Sequence, residues 1–379
     1  MSTPTQPGSK RLLSLDALRG FDMFFIMGGA ALITALCALF PEGSDSWLAL
    51  QMKHAQWDGF HQHDTIFPLF LFIAGISFPF SYAKSQSLGL SRSAQVGKIL
   101  KRVLVLIVLG WVYNGIFKWD FGTMRYLSVL GRIGLAWGIA ALIRMHTGTL
   151  ARAILCVLLL VGYWLLIRFV PAPDAAGAGV YSMEGNIVGW VDRQIIPGRL
   201  YHGTFDPEGL LSTLPAVATA LLGMFTGDFI RLDEKVRWCG KPLTGSTKTV
   251  WMLLASVLML GLGLLWSLNF PINKALWSSS FVLVAGAYSL SLFALFYWVI
   301  DVKGWRKWAH GLEIIGLNSI TIYLFQKIVS VKYTNEFFLK GLSEQLSPEW
   351  GTVLLSAGYV ALCWLLLTFL YRKKIFLKV

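Results

Sequence analysis

Residues 53–75 read KHAQWDGFHQHDTIFPLFLFIAG. A loop rich in histidine and aromatic residues runs straight into an uncharged apolar stretch that a bilayer would accept as the start of a spanning helix. Polar, reactive groups are thereby set at a fixed height against one membrane face. That placement suits chemistry, or polar ligand binding, at the surface of a membrane.

The rest of the chain agrees. Of its 379 residues 55% are hydrophobic and 14% charged, and the mean hydropathy is +0.61. Soluble domains carry roughly 25% charged residues. A spanning helix needs about 20 largely apolar residues, and ten segments qualify: 16–40, 64–84, 98–117, 125–145, 149–170, 208–230, 249–268, 275–300, 310–331 and 351–371. The runs are continuous rather than alternating, which argues against a β-barrel. The expectation is an all-α polytopic helix bundle of about ten transmembrane helices, one unit over 1–379, with a polar N-terminus at 1–11. The Asp16 and Arg19 charges in the first apolar segment mark it as a retained helix rather than a cleaved signal peptide.

A net charge of +13 invites a nucleic-acid reading, but the distribution of basic residues argues otherwise. With both termini placed in the cytoplasm, most basic residues fall in inner segments, among them Lys98, Lys101, Arg102, Lys241 and Arg372. Outer loops hold a minority, including Lys53, Arg125, Arg193 and Lys274. This follows the positive-inside rule and puts the 53–63 loop outside. No nucleic-acid partner is expected; the lipid bilayer is. The four cysteines, Cys37, Cys156, Cys239 and Cys363, show neither a disulfide framework nor metal-ligand spacing.

Several polar residues need an account. Asp16 and Arg19 share a helix face, as a structural ion pair or as a site where Arg19 meets a ligand phosphate. In 47–57, WLALQMKHAQW, residues Trp47, Leu50, His54 and Trp57 follow helical spacing. The pattern predicts a short interfacial helix with His54 turned inward, either packed or held neutral as a proton acceptor. Asp64 fits an N-cap of the second spanning helix and an orienting partner for His54. Too few ligands accompany His61 and His63 for a metal site, and none is expected. In GTFDPEGLLSTLPA (203–216), Asp206 fits an N-cap, Pro207 the first turn and Glu208 the dipole end; both acids could instead hold a substrate. Arg132 lies roughly 10 Å below the outer surface at 1.5 Å per residue, where an arginine faces the bundle interior. Asn318 and Gln326 are either interhelical glue or part of a polar interior.

Several segments, in this order, resemble the transmembrane acetyltransferases related to heparan-alpha-glucosaminide N-acetyltransferase. They are RLLSLDALRG (11–20), KHAQWDGF (53–60), DTIFPLFLFIAG (64–75), VLGRIGLAW (129–137), FDPEGLLSTLPAVATALLG (205–223) and GLNSITIYLF (316–325). The resemblance implies acetyl transfer from cytoplasmic acetyl-coenzyme A to a sugar or glycan acceptor across the membrane, with His54 as the catalytic residue. It also implies a bacterial inner-membrane homologue without the family's larger luminal domain. Where the animal enzymes carry an implicated asparagine near the outer end of helix 1, this chain reads FFIMGGAALIT.

The expected function is therefore an acetyltransferase acting at the periplasmic face. His54 and Asp64 are its catalytic candidates. Trp57, Asp206, Glu208, Arg132, Asn318 and Gln326 are expected near the acceptor, and Arg19, Lys98, Lys101 and Arg102 near the phosphates of acetyl-coenzyme A. A second copy of the chain could be a partner. The competing class is a secondary transporter or exporter of a sugar or glycan, which needs no covalent chemistry; the absence of inverted-repeat signals weighs against it.

Overall fold

A computed structural model describes residues 12–175 and 177–377; the polar segment 1–11 lies outside the described residues. The chain is an all-α bundle. Its helices are α1 (Leu13–Phe24), α2 (Ala30–Cys37), α3 (Trp47–Gln51), α4 (Ile66–Ser87), α5 (Arg92–Asn114), α6 (Val129–His146) and α7 (Thr149–Phe169), then α8 (Ile187–Ile195), α9 (Thr213–Ile230), α10 (Gly245–Ser267) and α11 (Ser279–Phe296), and finally α12 (His310–Leu317), α13 (Ser319–Ile328), α14 (Val331–Ser343) and α15 (Pro348–Arg372). The described strands, Arg237–Trp238 and Lys241–Pro242, form one small antiparallel ribbon.

Among the described residues, eight helical segments are long and apolar enough to cross a membrane, the mark of a multi-pass membrane protein. Two of the ten expected spans differ. Helix α5 is long enough but opens with four charges, Arg92, Lys98, Lys101 and Arg102. The expected span 310–331 is broken at Asn318, whose φ of −123° and ψ of 28° part α12 from α13. Serine and threonine caps start many of the helices: Ser91 accepts from Ala94 N–H, Ser128 from Gly131 N–H, Thr244 from Thr247 N–H and Ser278 from Phe281 N–H.

Two seams bring helices into backbone contact. Helices α4 and α9 pack along their length, and a Cβ added at Gly75, Gly223 or Gly227 would strike the carbonyls of Ala220, Phe72 or Ile76. Helices α1 and α12 do the same: a Cβ at Gly20 would strike the Leu312 carbonyl, and one at Gly316 the Asp16 carbonyl. Small residues at such crossings let helices associate by packing where the hydrophobic effect gives no drive. Between α1 and α2 a π-turn at Phe25–Gly29, with Gly28 at φ +113°, bends the first span.

The expected short helix before α4 is shorter than the periodicity suggests. Helix α3 ends at Gln51, so His54 lies beyond it in a loop, and Trp47 is 74% exposed rather than packed. The His54 side chain is 53% exposed rather than turned away from water. The expected cap positions also shift. A 3-10 turn (Gln62–Thr65) precedes α4, so Asp64 sits inside that turn and takes the N–H of His61 from within it. Helix α9 starts at Thr213 with Ser212 before it, so Asp206, Pro207 and Glu208 belong to the preceding loop instead of its first turn.

Candidate active site

One cavity of about 1010 Å³ runs along the middle of the bundle. Its lining extends from Arg102 to Tyr113 on α5, eleven residues or about 16 Å of helix. At one end stand His54, His63, Asp64, Glu208 and Lys274; at the other stand Arg19 and Arg102, with Phe376 and Leu377 beside them. Between them the walls are mainly apolar, with Phe67, Phe70, Leu106, Leu130 and Ile133. The parallel-stacked pair Tyr113 and Tyr323, with ring centroids 4.5 Å apart, also lines it.

The His54 end is built around a buried carboxylate. Asp64 Oδ1 lies 2.8 Å from His54 Nδ1, while Oδ2 accepts the backbone N–H groups of Ala55 at 3.2 Å and His61 at 3.1 Å. Those two backbone bonds fix the carboxylate and close the loop around it. An ionised carboxylate only accepts, so Nδ1 is the nitrogen that carries the proton and Nε2 keeps its lone pair. Such an imidazole can take a proton from a bound nucleophile. The His63 ring packs 4.5 Å from that of His54. His61 Nδ1 meets the Lys53 carbonyl at 3.0 Å. Among the described residues no group of three His, Cys, Asp or Glu side chains could hold a metal ion.

Lys274 comes from the loop before α11, 220 positions away in sequence. Its Nζ lies 3.0 Å from His54 Nδ1, 3.3 Å from Nε2 and 3.7 Å from Asp64 Oδ1. Burial pulls the Lys274 ammonium below the usual lysine range, with Asp64 and Glu208 opposing the shift. Arg125 lines the same end. Its Nε and Nη2 donate to Asp206 at 2.7 and 2.6 Å, and Nη2 also donates to Glu208. Burial works against the Arg125 charge, but Asp206 and Glu208 outweigh it and raise its pKa. Asp206 is fully buried, holds the N–H groups of Tyr201 and Glu208 as well, and does not line the cavity. Glu208 does.

The other expected site residues divide. Trp57 lines the cavity, donates to the Tyr181 carbonyl at 2.8 Å and packs edge-on against Phe205. Arg132 is buried behind the wall, donating to the Gly209 carbonyl at 3.0 Å and to Ser212, with its guanidinium over Trp277. Asn318 donates to the Ile375 carbonyl at 3.0 Å and Gln326 to the Tyr359 hydroxyl at 3.0 Å; neither lines the cavity. Arg19, bonded to Asp16 at 3.3 Å, and Arg102, stacked over Trp137 at 4.3 Å, face the cavity. Lys98 and Lys101 are exposed on α5 and do not.

By sequence alone Lys274 and Arg125 are ordinary outer-loop charges. The signal was there: both break the positive-inside trend, and a cation on the wrong side of a membrane often has a local partner.

Comparison with known proteins bears on this geometry. The chain is 27% identical over 430 aligned positions to heparan-alpha-glucosaminide N-acetyltransferase of Homo sapiens, covering 99% of this chain and 62% of the human protein. It is also 27% identical over 438 positions to the Mus musculus protein of that name, covering 100% of this chain and 63% of the other. The chain is related to the heparan-alpha-glucosaminide N-acetyltransferases. It spans a little over three-fifths of the length of these curated relatives. No family model matches the sequence.

Proposed function

We propose that the protein is a transmembrane acetyltransferase of the bacterial inner membrane. It moves an acetyl group from cytoplasmic acetyl-coenzyme A to an amino sugar or glycan acceptor at the periplasmic face. The observation that carries this reading is the single cavity that joins a paired-arginine end to a His–Asp end. A group-transfer enzyme working across a membrane needs both ends in one chamber.

At the inner end Arg102 has a buried Nε with no partner among the described residues. A guanidinium donor with nothing to bond suits an anion, and Arg19 stands with it at the same end. These two residues would hold the phosphates of acetyl-coenzyme A. The apolar walls would take its long arm, leading the thioester to His54. Lys98 and Lys101, exposed near the inner mouth, would draw the anion in rather than hold it.

At the outer end His54 Nε2 takes the proton from the acceptor nitrogen as that nitrogen attacks the thioester carbon. A C–N bond forms and the C–S bond breaks. The imidazolium then returns its proton to the departing sulfur, which gives the amide product and free coenzyme A. Asp64 keeps Nδ1 protonated and steadies the transient imidazolium, so the ring acts as base and then as acid. Glu208 and Trp57 are set to receive the acceptor. A carboxylate attracts an amine or sugar hydroxyls, and an indole packs against a sugar face. Arg132 and Asp206 support this end from behind the wall, whereas Asn318 bonds Ile375, beside Phe376 and Leu377 at the arginine end, and Gln326 ties α13 to α15.

A transporter would also use a chamber that reaches both ends, but it has no need for a histidine whose proton is fixed by a buried carboxylate. The deciding experiment incubates purified protein and His54→Ala with labelled acetyl-coenzyme A and a panel of amino and neutral sugars. Label should pass to an amino sugar in the wild type, and the variant should lose at least 100-fold in rate. Protein that neither binds nor consumes acetyl-coenzyme A would rule the enzyme out. Equal turnover by the variant would remove His54 from the chemistry.

A further inference from the structure

We infer that Lys274 is the oxyanion donor of this site, its ammonium receiving the charge that develops on the thioester oxygen as the acceptor attacks. The inference rests on the acetyltransferase reading and assigns it a residue distant in sequence from the His54 loop.

The geometry carries it. An ammonium has three N–H donors. Asp64 already takes three hydrogens, from His54, Ala55 and His61, and its 3.7 Å separation from Lys274 Nζ exceeds a hydrogen bond. Nζ lies at nearly equal distances from His54 Nδ1 (3.0 Å) and Nε2 (3.3 Å), so it sits against the face of the imidazole, out of line with either in-plane nitrogen site. Its N–H groups are therefore not used up by His54 or Asp64, and Lys274 lines the cavity. A cation fixed in a partly buried chamber stabilises a developing oxyanion far better than one in water.

Lys274 is not an acyl carrier, because an ε-amide would be too stable to pass the acetyl group on.

The test compares wild type, Lys274→Met and Lys274→Arg in detergent, with acetyl-coenzyme A and the acceptor found by the sugar panel. The Met variant should lose about 100-fold in kcat, with KM for acetyl-coenzyme A within about threefold. The Arg variant should keep most of the rate, and added ethylamine should restore part of the Met variant's. The titratable groups facing Lys274 are His54, His63, Asp64 and Glu208; the activity lost at high pH should move to higher pH in the Arg variant, which keeps its charge. A folded Met variant within threefold of the wild-type kcat overturns the inference. So does an equal loss in Met and Arg variants that ethylamine leaves unchanged, since that marks a packing role. Failure of the wild type itself to transfer acetyl would instead remove the enzyme reading beneath it.

Discussion

The Asp64 carboxylate reaches His54 Nδ1 across 2.8 Å while its other oxygen holds two backbone N–H groups of the loop that carries His54. One side chain thus shapes the loop and sets the tautomer of the ring. Asp64→Asn should lose both effects: an amide cannot accept at both ends, and buried N–H groups left without partners cost about 1–3 kcal/mol each. We expect lower kcat together with a lower Tm, whereas His54→Ala should lower kcat with little change in Tm. Parallel melting curves and initial rates separate the two, and an Asp64→Asn protein with unchanged Tm would contradict the structural half of this account.

Arg125 neutralises a fully buried acid. Arg125→Met would strand Asp206, which is 0% exposed and bonded twice to that guanidinium. Removing one partner of a buried pair costs about 3–5 kcal/mol. Thermal unfolding should show a strong loss, and Arg125→Met with Asp206→Asn should recover part of it. No recovery in the double variant would mean that the pair is not the stabilising unit.

Asp192 offers a pH test away from the proposed chemistry. It is buried, accepts from Leu210 N–H at 2.8 Å, and burial pushes its pKa up to about 7. Its folded value exceeds the ordinary carboxylate value of about 4. The stability it contributes is therefore complete at low pH and is lost as pH rises from about 4 through about 7. Asp192→Asn keeps an acceptor for Leu210 without the charge. The variant should match the wild type in Tm near pH 4 or below and exceed it increasingly up to about pH 8, and a constant difference across that range would count against the assignment.

The α4–α9 seam predicts a contrast between glycines. Gly223→Ala should lower Tm sharply, because the added carbon meets the Phe72 carbonyl, which cannot swing aside. Gly97→Ala and Gly261→Ala meet open space and should be neutral or slightly stabilising, since alanine favours helix by about 1 kcal/mol. Similar melting of all three variants would show that the seam is slack.

For the proposed coenzyme site, Arg102→Met should raise KM for acetyl-coenzyme A by about tenfold or more, the scale of one charge-assisted contact, with kcat nearly unchanged. Lys98→Ala and Lys101→Ala should act mainly at low salt, as exposed charges do. Equal KM in wild type and Arg102→Met would move the phosphate site elsewhere.

The bundle itself was legible because uncharged runs of bilayer length leave few alternatives. Helix interruptions were not: Asn318 breaks the 310–331 segment without a proline or glycine at that position. Spacing also misled at His54, since apolar periodicity continued past the point where α3 stops at Gln51. The nearness of Asp64 to His54 could be anticipated over ten positions. A place for Glu208 near the same site could be anticipated from its outer-face position. Convergence of Lys274 on that chamber could not, because long-range packing leaves no local pattern; its positive charge on the less basic side of the chain was the one available clue.

The two glycine seams bear on how the molecule would work as well as how it holds together. Helices α1 and α4, which form walls of the cavity, are each fixed to a neighbour at backbone range, one to α12 and the other to α9. Elements joined so closely have little freedom to slide or tilt apart. The expected behaviour is that of a fixed conduit, in which loops and side chains such as Lys274 adjust while the barrel of helices stays still. Under the proposed function the acetyl group would cross by reacting at the far end of that conduit, with no need for the protein to turn itself inside out.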